Sequence, residues 1–342
     1  MHLDHFICVG ENLHCTRVFK VGGKSVQTGP DGRSYIAYTS KGQARQLPVP
    51  PAFTGGADWQ AGKVKHCAVA IWQGNYGDEA GQAAGIDYLQ SLAREQQAHG
   101  ARFLDVNVDE FSTDVAERMK LIKWTLTVIQ RATSIPISVD SSNLGILTAG
   151  LQACSPAKGR PMVNSVSLER PDAVKAAAEH RAVVIASAAG EKGMPSSPEE
   201  RLANLISLMP KLKASGFQDL DIHVDPLVFP ISVDPSNGSQ CLKSISAIRH
   251  HYGDEIHIVA GLSNISFGMP NRKLINQVFS QLAVEAGADG GIVDPLQVNV
   301  PALMKLDKGS EPYKMARAML LGEDEFGMNW IAACREGKIA AQ

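Results

Sequence analysis

The sequence predicts a (β/α)8 TIM barrel with an inserted subdomain after its first strand, and three observations carry that expectation. Short β-branched, apolar runs alternate with stretches of helical spacing about eight times. The alternating part fills roughly the 250 residues typical of that architecture once an irregular segment and a tail are set aside. The alternative, a doubly wound open sheet, usually announces itself by a phosphate cradle, yet no G-x-G-x-x-G follows the first strand and no G-x-x-x-x-G-K-[ST] occurs anywhere. The expected organisation is one domain over residues 1–342, with 21–82 inserted into it and 301–342 as a helical tail.

Taken in order, Phe6–Gly10 is the first expected strand. Residues 21–82 are rich in Gly, Pro, Thr and Tyr and carry short alternating pieces, Tyr35–Tyr38 and Ala68–Trp72. A structureless loop that long is improbable in a compact domain, so the segment reads as a hairpin-like subdomain. A helix over Ala83–His99 then leads to the strand Arg102–Val108, and a helix over Val115–Arg131 leads to the strand Ile135–Asp140. Leu144–Gln152, Pro161–Val166 and Pro171–His180 repeat the helix, strand, helix order. Ala182–Ala186 is the next strand, and Pro198-Glu199-Glu200 opens a helix, since proline and acids suit a first turn. Leu220–Asp225, a helix to Tyr252, Ile256–Ala260, a helix over Lys273–Ala286 and Gly290–Pro295 complete the alternation, and Tyr313–Leu321 and Trp330 fall in the tail.

Composition bounds the function. The chain has 342 residues, 44% hydrophobic and 20% charged, with formal net charge −2, the balance of an ordinary soluble enzyme. Lys and Arg are diluted by acids, which argues against nucleic acid, and no apolar run reaches membrane-spanning length. No signal peptide is recognisable, so a cytoplasmic location is expected. The six cysteines, without a C-x-x-C pair, read as free thiols. The histidines lack ligand spacing and the carboxylates fall in no close ligand pattern, so no metal is expected.

The polar residues at the expected strand ends carry the functional reading. They are Glu11, Asp105, Asn107, Asp140, Asn164, Asp225, Asn264 and Asp294. In a closed barrel these ends face one mouth, giving a ring of acceptors and amides with little positive charge. Such a ring suits a flat heterocycle with several N–H donors and ring nitrogens, because carboxylates accept from an amino edge and amides serve either polarity. For any one residue the competing reading is a helix cap or a loop hydrogen bond. Asn264, in Gly261-Leu262-Ser263-Asn264-Ile265-Ser266, is expected where a strand hands over to a helix.

Asp105-Val106-Asn107-Val108, Val139-Asp140-Ser141-Ser142-Asn143, Asn164-Ser165-Val166, Val224-Asp225-Pro226-Leu227 and Gly261–Ser266 with Asn271-Arg272 and Leu274-Ile275-Asn276 resemble the pterin-binding methyltransferases. Within them the chain is most similar to the methyltetrahydrofolate:corrinoid/iron–sulfur protein methyltransferases, with the folate domain of cobalamin-dependent methionine synthase as a relative. The resemblance runs from the first strand to Asp294 and skips the insertion. It implies that tetrahydrofolate or 5-methyltetrahydrofolate is the substrate, and that the N5 methyl moves to or from the cobalt of a corrinoid on a partner protein. It also implies that Asp140, Asn164 and Asp225 hold the pterin edge and that Asn264 meets N5. Asp105 and Asn107 would lie near the pterin, and Arg272 beside the cobalt-facing mouth. A homodimer is expected.

The chain departs from that pattern in places. Relatives usually have Gly-Glu-Arg-x-Asn after the first strand, where this chain has Gly10-Glu11-Asn12-Leu13-His14, and Asp109 stands in place of a usual glycine. Two other readings share the pterin site: a dihydropteroate synthase-like enzyme, which Asn271-Arg272-Lys273 faintly suggests, and a pterin-binding module without catalysis. No D-x-H-x-x-G corrinoid signature is present, so the corrinoid is expected on another protein.

Overall fold

The computed structural model describes residues 3–191 and 193–339. Its first strand, β1 (Ile7–His14), runs further than Gly10. The backbone N–H of Cys15, just past its end, still donates to the carbonyl of Asn107 at 2.9 Å, so the glycine sits inside the strand and does not end it. The chain then forms β2 (Val18–Lys20), β3 (Val26–Thr28), β4 (Ser34–Ser40) and β5 (Gln43–Pro48), the one-turn helices α1 (Pro51–Thr54) and α2 (Ala57–Gln60), and β6 (Lys63–Lys65).

β3, β4 and β5 make an antiparallel sheet in which Ile36 pairs with Leu47, both fully buried. Asp87 ties this sheet down by accepting from the Tyr38 hydroxyl at 3.0 Å and the Ser40 hydroxyl at 2.8 Å. β2 and β6 pair from Val18 with Lys65 to Lys20 with Lys63, so the excursion leaves and returns through one ribbon.

α3 (His66–Tyr76) corrects the strand-like reading of Ala68–Trp72. Every residue from His66 to Ile71 is buried, and a helix covered all round shows no amphipathic period. Its close packing needs small residues: a Cβ on Gly74 would fall 2.1 Å from the Trp124 ring. α4 (Glu79–Ala98) follows it.

From there strands and helices alternate: β7 (Phe103–Asn107), α5 (Val115–Gln130), β8 (Ile137–Asp140), α6 (Leu144–Ala153), β9 (Met162–Val166), α7 (Pro171–Glu179), β10 (Val183–Ser187), α8 (Pro198–Ala214), β11 (Ile222–Asp225), α9 (Asn237–Tyr252), β12 (His257–Ala260), α10 (Arg272–Ala286) and β13 (Gly290–Val293). The side chains of Asp114, Asn143 and Ser197 cap α5, α6 and α8, as the helix-start chemistry requires. The strands close into a parallel barrel in the order β1-β13-β12-β11-β10-β9-β8-β7. This is the (β/α)8 architecture, and its core is the β-branched interior of these strands. The tail holds α11 (Val300–Met304), α12 (Glu311–Leu321) and α13 (Met328–Arg335). Residues 340–342 of the expected tail lie outside the described residues.

By internal contacts the chain divides into two compact units, one of residues 11–98 and 103–161, the other of 1–10, 99–102 and 162–342. Within the second, His223 on β11 is buried with its ring 4.8 Å from that of His257. Burial, with the charge of His257 behind it, pushes the His223 imidazole down to about 3. The unfolded chain takes up this proton near pH 6.5, the folded chain only near pH 3, so the residue subtracts stability as pH falls between those values. Urea unfolding of wild type and His223→Gln across this range should therefore give a wild-type advantage that shrinks by about 1.4 kcal/mol per pH unit below 6.5. A pH-independent difference would show that His223 does not stay neutral in the fold.

Candidate active site

The expected strand-end residues fall into two groups, one in each compact unit. In the unit built on β7 and β8, Asp105 is fully buried and takes a hydrogen bond from His14 at the end of β1, Nε2 to Oδ2, at 2.9 Å. Asn107 donates through Nδ2 to Asp140 Oδ2 at 2.9 Å, and its Oδ1 accepts from the Asp109 N–H at 2.8 Å. Asp109 then holds the next turn, accepting from the Ser141 hydroxyl at 2.7 Å and the Ser142 N–H at 2.9 Å. Glu11 is ion-paired with Arg17.

One donor atom each of His14, Asp105 and Asp140 lies within 4.8 Å of the others. The expectation that no two carboxylates fall in a close ligand pattern is thereby corrected: adjacent parallel strands put Asp105 and Asp140 side by side although they are far apart in sequence. Burial, and next the charge of Asp105, push the Asp140 carboxyl up to about 7, against the pull of His14 and Asn107. For His14, burial alone would lower the imidazole, but the hydrogen bond and charge of Asp105, then Asp140 and Glu11, raise it above its ordinary value.

In the other unit the centre is Asp225 at the end of β11. Its Oδ1 accepts from the N–H of Leu227 at 2.8 Å, an arrangement for which Leu227 adopts a left-handed backbone with φ 68°. A strained residue of this kind persists where its surroundings fix it, as at ligand sites. Burial pushes the Asp225 carboxyl up to about 6, while the N–H groups of Leu227 and Gly261 and the buried Arg201 guanidinium draw it back.

Asn264 lies on a 3-10 turn, Leu262–Ser266, after β12. It does not cap α10, whose N-cap is Asn271, and no side-chain hydrogen bond among the described residues occupies its amide. A Cβ on Gly261 would meet Asn264 Nδ2 at 3.0 Å and Asp225 Oδ2 at 3.9 Å, so the glycine keeps the ground between amide and carboxylate clear.

Arg272, the first residue of α10, staples this turn. Its Nε donates to the Ser266 hydroxyl and its Nη2 to the Ser263 carbonyl, both at 2.9 Å, and the guanidinium lies 4.5 Å over the Phe267 ring. It therefore positions the loop that carries Asn264. Asp294 closes its own turn, accepting from Leu296 N–H at 3.0 Å and Gln297 Nε2 at 2.7 Å. Asn164 sits in β9, half-buried, one residue before Ser165. His14 and Arg201 were not among the expected site residues: the signal for His14 was its place in a departure from the family pattern, and Arg201 gave none.

A family model described as pterin binding enzyme matches residues 79–294, more than half of the chain. This chain belongs to the pterin-binding enzymes. The match begins at the first residue of α4, so everything from β1 to α3 lies outside it. The chain is also similar to a methylcorrinoid:tetrahydrofolate methyltransferase from Eubacterium limosum, 30% identical over 257 residues, covering 74% of this chain and 89% of the relative. Solved structures with the same fold include dihydropteroate synthase from Vibrio fischeri ES114, with TM-score 0.53 and 15% identity over 83% of this chain and 98% of that one. Another is dihydropteroate synthase from Xanthomonas albilineans in complex with 7,8-dihydropteroate, with TM-score 0.53 and 19% identity over 66% of this chain and 86% of that one. At these identities the structural likeness speaks for the fold alone.

Proposed function

We propose that this pterin-binding enzyme moves the N5 methyl group between methyltetrahydrofolate and the cobalt of a corrinoid carried by a partner protein. The single observation that carries the reading is the uncommitted Asn264 amide beside the Asp225 carboxylate, on a turn that Arg272 holds in place. The similarity to a methylcorrinoid:tetrahydrofolate methyltransferase supports the same reading.

The chemistry asks for such an amide. A methyl on a tertiary amine is a poor electrophile, because the bonding pair must return to nitrogen as the carbon–nitrogen bond breaks. N5 must hold a proton or a strong hydrogen bond at that moment. An amide that can rotate accepts from protonated N5 and donates to the free amine, so it follows the charge in either direction. The reduced corrinoid, as co-substrate, supplies the nucleophile, and no Ser, Cys or His nucleophile is required of this chain. Asp140, Asn164 and Asp225 would take the amino-pyrimidine edge, with the Asn107 amide fixing Asp140 and Asp105 close by. Dihydropteroate synthesis is the competing reaction in this fold. Incubation with a dihydropterin diphosphate and 4-aminobenzoate separates the two, since pteroate formation would contradict methyl transfer.

The inserted segment has a role in this reading. A cavity of about 620 Å³ lies in it, lined by Trp59, Trp72, Tyr76, Pro50 and Arg33 among others, with the Trp72 and Tyr76 rings 6.0 Å apart. Because the segment leaves the carboxyl end of the first strand, it serves the folate tail or the incoming corrinoid protein. The β2–β6 ribbon marks where to cut: joining Val21 to Gly62 by a Gly-Ser connection removes the sheet and keeps the ribbon. Loss of methyl transfer with folate binding retained assigns the segment to docking, and loss of both assigns it to folate. If a folded truncation kept both, the segment would have no part in the site.

A further inference from the structure

Asp105 and Asp140 form a close pair of carboxylates, and the His14 ring lies with them, hydrogen-bonded to Asp105. The other charges around them are already engaged: Glu11 with Arg17, and Asp109 with Ser141, Ser142 and Arg118. A buried and a half-buried carboxylate side by side resist ionising together, because each charge disfavours the other and burial disfavours both. A protonated Asp140 offers the wrong polarity to a donor-rich heterocycle, since a carboxylic acid gives up acceptor capacity for an O–H.

We propose that His14 is a positioning residue whose imidazolium holds Asp105 and Asp140 ionised together, so that Asp140 is an acceptor for the amino edge of a pterin. The inference rests on the pterin-binding reading above and names what sets its working pH. The geometry carries it: His14 Nε2 is hydrogen-bonded to Asp105 at 2.9 Å, and Asn107 holds Asp140 in place with a neutral amide that adds no charge. The same cluster raises the His14 imidazole, favouring its charged form, and that charge draws the Asp140 carboxyl down against burial and Asp105, which push it up.

The test is the pH profile of tetrahydrofolate binding, measured by calorimetry from pH 5.5 to 8.5 on wild type, His14→Gln and His14→Ala. His14→Gln keeps a hydrogen-bond donor without the charge, and melting curves establish that each variant is folded. Without the imidazolium the Asp140 carboxyl ionises at higher pH, so the acid limb of binding should move up by about one pH unit. Both variants then bind roughly tenfold more weakly than wild type at pH 6.5 and converge with it at pH 8.5. Profiles parallel to wild type at every pH would overturn the proposal, leaving His14 a packing residue, and a wild-type profile in His14→Gln would show that the hydrogen bond suffices. Binding abolished by EDTA and restored by zinc would also overturn it, making the cluster a cation site. Wild type that binds no folate at any pH would instead defeat the pterin reading itself.

Discussion

Asn264→Ala should slow methyl transfer by about 10²–10³ while leaving folate affinity within a few fold of wild type. The reason is where its amide is spent. No side-chain hydrogen bond among the described residues engages it, so its removal breaks none of them. In the proposed reaction its interaction with N5 would grow as the carbon–nitrogen bond breaks and charge moves, and an interaction stronger in the transition state than in the ground state appears in the rate. The measurement is single-turnover transfer between a methylcorrinoid and tetrahydrofolate, set beside a binding titration. Equal loss in binding with an unchanged single-turnover rate would make Asn264 a positioning residue only. Arg272→Ala should lower the rate in the same assay, because the turn loses its two 2.9 Å staples.

Asp140→Ala, Asn164→Ala and Asp225→Ala should each weaken folate binding by about 1.5–3 kcal/mol, a factor of roughly 10 to 150, with the fold intact. Asp140 carries a second, opposite signature. Its folded carboxyl ionises near pH 7 where an unfolded one does so near 3.9, so the folded protein loses stability as pH rises through that interval. Asp140→Asn removes the charge and should raise the melting temperature of the ligand-free protein at pH 8 while abolishing most folate binding. A residue whose loss stabilises the fold and ruins the site is kept for the ligand. Unchanged titrations for all three alanine variants would remove the pterin from this part of the barrel.

Much of this molecule was legible in the sequence because buried parallel strands are uniform: Val183–Ser187 and His257–Ala260 read as β-branched apolar runs, and α8 between them starts at the Ser197 cap. The misreadings have physical causes. β1 runs through Gly10, which sequence alone takes as a stop. α3 is buried on all sides, so its spacing shows no face. Residues at strand ends could be named, but their tasks could not, because these depend on partners brought from elsewhere in the chain. Arg201 reaches the surroundings of Asp225 from α8, His14 reaches Asp105 across adjacent strands, and Arg272 turns back to hold Asn264's loop. Asp294, by the same token, is engaged within its own turn.

The central claim is that the chain transfers a methyl group between a corrinoid and tetrahydrofolate. Its most direct test is the visible absorption of methylcobalamin mixed anaerobically with tetrahydrofolate and the full-length protein. The account predicts a protein-dependent loss of the methylcobalamin spectrum with appearance of reduced cobalamin and an equal amount of 5-methyltetrahydrofolate, slowed by Asn264→Ala. A spectrum that stays unchanged with free methylcobalamin and with candidate methylated corrinoid proteins, from a preparation that binds tetrahydrofolate, would contradict it.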